Sequence, residues 1–177
     1  MITAVSQTLA EILAGGSSLI STEQIDFNHP GMQQQGEPRI NLYCYDLREN
    51  QQMQQSPLET EVTPNDNNSP LWFDVSFLVT AWDCTGLGEQ QLLSEALRLL
   101  LRYRFLPEKL LAPALQGYGL LPIRVSACES LDTVVFWKAL AVPLRPALYV
   151  TVTVPLERLG AEFSISQKEV ITNSKES

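Results

Sequence analysis

This chain is short of the side chains that most chemistry needs. It has one histidine, His29, and three cysteines, Cys44, Cys84 and Cys128, with no Cys-x-x-Cys pair among them. A single imidazole in a Pro/Gly-rich stretch places no Ser–His or Cys–His pair, so His29 reads as a solvated loop residue. Metal ligation needs His, Cys or carboxylates clustered at ligand spacing, and the cysteines stand far apart without companions. Each falls in or beside a strand-like run, where a free thiol behaves as a small hydrophobe. That excludes a disulfide framework and fits a reducing cytoplasm.

Positive charge is also scarce. Twelve Lys and Arg against twenty Asp and Glu leave a net charge of -8, so no basic stripe exists to displace counterions from a nucleic acid. Long apolar runs are missing too: none approaches the roughly 20 residues that cross a bilayer. The N-terminus lacks the Lys or Arg of a signal peptide, and any membrane contact would be indirect. "GLGEQQ" is short of a third glycine for a dinucleotide fingerprint and of the Lys-Ser/Thr of a P-loop. It reads as a turn and a helix start. No cofactor is implied, and no enzyme.

What the chain does have is alternation. "LWFDVSFLVTAW" puts Leu71, Phe73, Val75, Phe77, Val79 and Ala81 on one face and Trp72, Asp74, Ser76, Leu78, Thr80 and Trp82 on the other. "RINLYCYDLRE", "LPIRVSACE" and "LYVTVTVPL" read as further strands, and "EQIDFNHP" as a short one. "ITAVSQTLAEILAGG" has helical spacing and a glycine stop. "GEQQLLSEALRLLLRYR" predicts a helix with Glu89 in its first turn, Arg102 and Arg104 in its last, and Glu95 within reach of Arg98. A short helix is expected over residues 130–140. The order predicts an α+β fold, a largely antiparallel mixed sheet with helices packed on one face. Residues 1–159 form one domain in this reading, with 50–70 a mobile loop rich in Gln, Asn and Pro and 160–177 a polar, disordered tail.

The sheet face away from the helices gathers aromatics: Tyr43 and Tyr45, Trp72 and Trp82, and Tyr149. Such a face is expensive to leave in water. Two covers are open to it, the loop 50–70 or the tail of the same chain, and another subunit. A partner strand added at a sheet edge is a further mode. Charge is uneven as well: residues 1–70 carry nine Asp/Glu and two Lys/Arg, and the remainder is nearly balanced. The acidic third and the Arg98, Arg102, Arg104 end of the long helix are a candidate complementary pair.

The last organised stretch is "FWKALAVPLRPALYVTVTV". Pro143 and Pro146 fix φ and bias the residues before them away from helix. The helix must therefore stop by about Ala141, and the strand cannot begin before Ala147. Arg145 sits on the rigid bridge between them, able to reach a carboxylate of its own domain or of a neighbour. Trp137, Leu140, Pro143, Arg145, Pro146, Leu148, Tyr149 and Val152 in this order resemble the ending of the tail-terminator, or cap, family of contractile injection systems. "MITAVSQTLAEIL", "INLYCYDLREN" and "WFDVSFLVTAWDCTGLGEQQLLSEALRLL" look like that family's usual order, so the resemblance spans residues 1–156. It implies a phage-tail-terminator-like fold and a six-fold ring of this chain. That ring would contact sheath and inner-tube proteins, close the particle at the end away from the baseplate and set its length. Tyr43, Tyr45, Trp72, Trp82, Arg98, Arg102, Arg145 and Tyr149 are then the candidate interface residues. A small monomeric adaptor that takes up a peptide by strand addition is the alternative.

Overall fold

The computed structural model describes residues 1–16, 18–32, 37–54, 70–126 and 133–156. The tip at 33–36, most of the expected loop, Cys128 and the C-terminal tail lie outside the described residues.

Alternating sequences build the sheet. Its strands are β1 (Ile25–Asp26), β2 (Arg39–Glu49), β3 (Leu71–Trp82), β4 (Ile123–Ser126) and β5 (Leu148–Leu156). They lie in the order β1-β2-β3-β5-β4. Among the described strands β1 and β2 pair in parallel; the other three pairings there are antiparallel. The longest and most regular strand, β3, is thus central.

The helices follow the 3.6-residue period. In α1 (Ile2–Gly15), Val5, Leu9, Ile12 and Leu13 turn inward and are buried. In α3 (Gly86–Leu100), Leu92, Leu93, Ala96, Leu99 and Leu100 do the same. Both pack on one sheet face, against Val75, Phe77 and Val79 of β3, Val150, Val152 and Val154 of β5, and Ile40 and Leu42 of β2. Each large side chain fully buried here contributes about 2–3 kcal/mol of apolar transfer. The two helices meet closely at Gly16, where a Cβ would lie 2.4 Å from Leu99 Cδ2. Helix α3 ends at Leu100, so Arg102 and Arg104 lie beyond its last turn rather than within it. The Arg104 carbonyl accepts a hydrogen bond from Ile123 N at 3.0 Å. Pairing along β4 thus claims backbone that a longer helix would have used.

The segment after α3 is pinned to α1. Buried Thr8 Oγ1 donates to Ala4 O at 2.9 Å and accepts from Ala112 N at 3.0 Å. Part of the expected loop is helical: α2 (Gln51–Gln54) opens on Asn50, whose Oδ1 accepts from Met53 N at 3.1 Å. The last helix, α4, is described over Thr133–Ala139; residues 130–132 of the expected span lie outside the described residues.

Candidate assembly surface

Register decides what the second sheet face carries. Tyr43 lies opposite Leu78, and Leu78 opposite Tyr149, so β2, β3 and β5 contribute one lateral row. A register shift falls between Cys44 and Asp46. Tyr45 is the extra residue of this bulge, and a bulge re-aims the side chains beside it. Tyr45 keeps the face of Tyr43 that alternation gives it, with its ring 4.9 Å from Phe136 and 6.5 Å from Tyr149, and the shift brings Asp46, opposite Ser76, to that face as well.

Among the described residues α4 of the same chain covers this face; the tail and most of the loop that the sequence offered as covers lie outside them. Phe136 tilts against Tyr149 at 6.1 Å. Trp137 is buried to 2% exposure, and its Nε1 donates to the Tyr149 hydroxyl at 3.1 Å. Beneath them Leu78 and Thr80 are wholly buried. A seven-residue helix shields the row because its two largest side chains are consecutive and wedge together against the tyrosines. Sequence periodicity did not point to Phe136 and Trp137 in this role. Asn41 is buried and ties β1 to the sheet, its Nδ2 donating to Asp26 Oδ1 and to Asn28 O. Tyr43 makes an edge contact with His29 at 5.2 Å. His29 is half-buried, and its Nδ1 accepts from Gly31 N at 3.1 Å.

The corner after α4 closes the other end of the face. The helix stops at Ala139, and Ala141 takes φ 53°, a left-handed conformation that reverses the chain. Arg145 then crosses Trp82, its guanidinium carbon 3.5 Å from the ring centroid. It also donates from Nη2 to Glu89 Oε1 at 2.8 Å in the first turn of α3. Arg145 therefore reaches a carboxylate of its own domain. A groove of about 410 Å³ runs beside it, lined by Pro30, Gly31, Trp82 and residues 141–145.

The far end of the same face is polar. Asp74 Oδ1 accepts from Thr153 Oγ1 at 2.6 Å and from Asn50 Nδ2 at 3.0 Å, and Oδ2 lies 3.6 Å from Arg124 Nη2. Trp72, half-buried, rests against the main core cluster. Of the helix arginines, Arg98 is exposed and forked onto Glu95, which holds its guanidinium above the ordinary arginine range. Arg102 is exposed.

Among the described residues no three His, Cys, Asp or Glu side chains cluster as a metal would require. Burial pushes the half-buried Cys44 thiol up, away from the reactive thiolate. Cys84 is exposed. At "GLGEQQ", Thr85 caps α3 by accepting from Gly88 N at 3.0 Å, and the Asp83 carboxylate accepts from Thr85 N and Oγ1. Those bonds hold the Asp83 carboxyl below the usual carboxylate range. A Cβ on Gly88 would lie 2.2 Å from Asp83 Oδ1, so this glycine makes room for a cap and not for a phosphate.

The described α+β domain, with a short helix on its second sheet face, shares its fold with tube-terminating proteins of contractile injection systems. The chain is a member of the Pvc16 N-terminal domain family, whose model matches residues 3–167. Among solved structures, it is similar to the PVC sheath/tube terminator of an extracellular contractile injection system in its extended state. That likeness has TM-score 0.64 and 20% identity over 90% of this chain and 57% of the other. It is also similar to the tube-terminating cap of the anti-feeding prophage, with TM-score 0.61 and 20% identity over 88% of this chain and 55% of that one. The chain thus spans a little over half the length of either structure. A search of curated protein sequences found no match. The family read from the four sequence blocks is the family found.

Proposed function

We propose that this chain is a non-enzymatic structural protein that caps the inner tube and sheath of a contractile injection system at the end distal to the baseplate. In this reading it works as a six-fold ring, contacts sheath and tube proteins, and sets particle length. It acts in the cytoplasm as part of the particle and meets a membrane only through the assembled structure. Among the described residues no helix is long and apolar enough to cross one.

Membership of the Pvc16 N-terminal domain family over residues 3–167 carries the proposal, and the fold likeness to a sheath/tube terminator and a tube-terminating cap supports it. Electron micrographs of particles assembled without this protein test it. Tubes of uncontrolled length, or sheaths that contract prematurely, are expected. Uniform particles of normal length would overturn the capping role and return the monomeric strand-adding adaptor as the better reading.

A further inference from the structure

Two surfaces of opposite charge, each studded with exposed apolar side chains, stand at opposite edges of the sheet. The first lies where α3 gives way to β4. Phe105 pairs with Pro122 in an isolated antiparallel bridge, and Ile123 N donates to Arg104 O, so this segment runs outside β4, the last strand of the sheet. Within it Leu101 is 62% exposed, Phe105 41% and Leu120 68%. Arg102, Arg104 and Lys109 are exposed beside them, with Glu108 the one acid. Arg98 is not part of this surface, because its charge is taken by Glu95.

The second surface lies along β1, the first strand of the sheet. Phe27 is 48% exposed and Met32 61%. Glu23 and Glu37 are exposed and Asp26 is half-buried, and no Lys or Arg precedes Arg39 in the chain. Arg39 itself is half-buried at the start of β2.

We propose that these two surfaces meet between copies of this chain, the basic β4 edge of one against the acidic β1 edge of the next. The inference rests on the capping reading for its biological setting, but its physical basis is separate. A ring needs heterologous contacts, two different patches of one subunit that match. Patches at opposite sheet edges can join successive copies head to tail, which a single self-complementary patch cannot. Exposed apolar groups supply the contact area, and the opposed charges steer the approach and fix its polarity.

Sedimentation of the full chain at high concentration tests the contact. Wild type associates at low salt, and association weakens as the screening length falls from about 10 Å at 0.1 M salt to about 3 Å at 1 M. Arg102→Glu with Arg104→Glu, and separately Glu23→Lys with Glu37→Lys, each weaken association at least tenfold. The chain carrying all four changes recovers it, as does a mixture of the two double variants, in which like-reversed edges meet. Arg102→Lys with Arg104→Lys keeps wild-type association, and circular dichroism melts confirm that every variant is folded. Equal association of wild type and both charge-reversed variants would overturn this contact and leave a ring built through other surfaces. A wild-type chain monomeric at every salt concentration would overturn it too. Neither result bears on capping, which is read on particle length.

Discussion

At the scale of single residues, the glycines before α3 show how local a requirement can be. Nothing lies within 4 Å of a Cβ built on Gly86, whereas one on Gly88 would strike the Asp83 carboxylate. Gly86→Ala should therefore raise stability by up to about 1 kcal/mol through helix propensity. Gly88→Ala should melt below wild type, because the carboxylate is pinned by two bonds to Thr85. Thermal melts of the pair check this. The same cap predicts a pH effect. A carboxyl depressed in the folded state stabilises above its unfolded pKa, and that contribution is lost as pH falls through the folded value. Asp83→Asn should thus be less stable than wild type at neutral pH, the gap narrowing only as pH falls below the ordinary carboxylate range in denaturant titrations. Arg145 was legible as a held arginine from its two prolines. Its partner Glu89 was not, because 56 residues separate them in the chain and only the fold brings them together. A double-mutant cycle of Arg145→Met and Glu89→Gln should give a coupling of about 1 kcal/mol, modest because both groups keep some contact with water.

At the scale of elements, the period-2 and period-3.6 patterns predicted β3, β5 and α1 and the inward faces of all three. Those patterns are local, and the core respects them. Three features were hidden for physical reasons. The bulge at Tyr45 leaves no mark in a strand whose two faces both carry apolar groups, so its register is decided by β3 and α4. The end of α3 is set by backbone pairing with β4, while "LLLRYR" has helix-compatible residues throughout. The cover of the aromatic face depends on Phe136 and Trp137, adjacent residues that no helical stripe picks out. Their role makes a prediction. Trp137→Ala should cost about 3 kcal/mol, a typical value for deleting a buried aromatic, and should expose Tyr45, Leu78 and Tyr149 enough to bind a hydrophobic dye. Tyr149→Phe, which removes only the acceptor of the Trp137 N–H, should cost about 1 kcal/mol and bind no dye.

At the scale of the whole molecule, the two sheet faces are closed by unequal means. One is packed by α1 and α3 over a continuous core drawn from every long strand. The other, among the described residues, is covered by one short helix and a corner held by a left-handed alanine, an arginine–glutamate pair and a few ring contacts. A left-handed φ on a non-glycine residue costs roughly 1–2 kcal/mol, so the corner carries strain at Ala141. Segments with few buried apolar contacts open locally at lower free energy than the core. Amide hydrogen exchange should therefore separate two classes. Val75 to Thr80 of β3, flanked on both sides by strands, should exchange only through global unfolding, with protection that follows denaturant stability. The amides of Leu140 and Ala141, which close the end of α4 on Phe136 O and Lys138 O, should exchange through a smaller opening that denaturant barely accelerates. Ala141→Gly, which relieves the left-handed strain, should slow exchange at Leu140 while leaving β3 unchanged. If α4 and β3 instead exchange together, the molecule is one cooperative unit and the aromatic face is never separately uncovered.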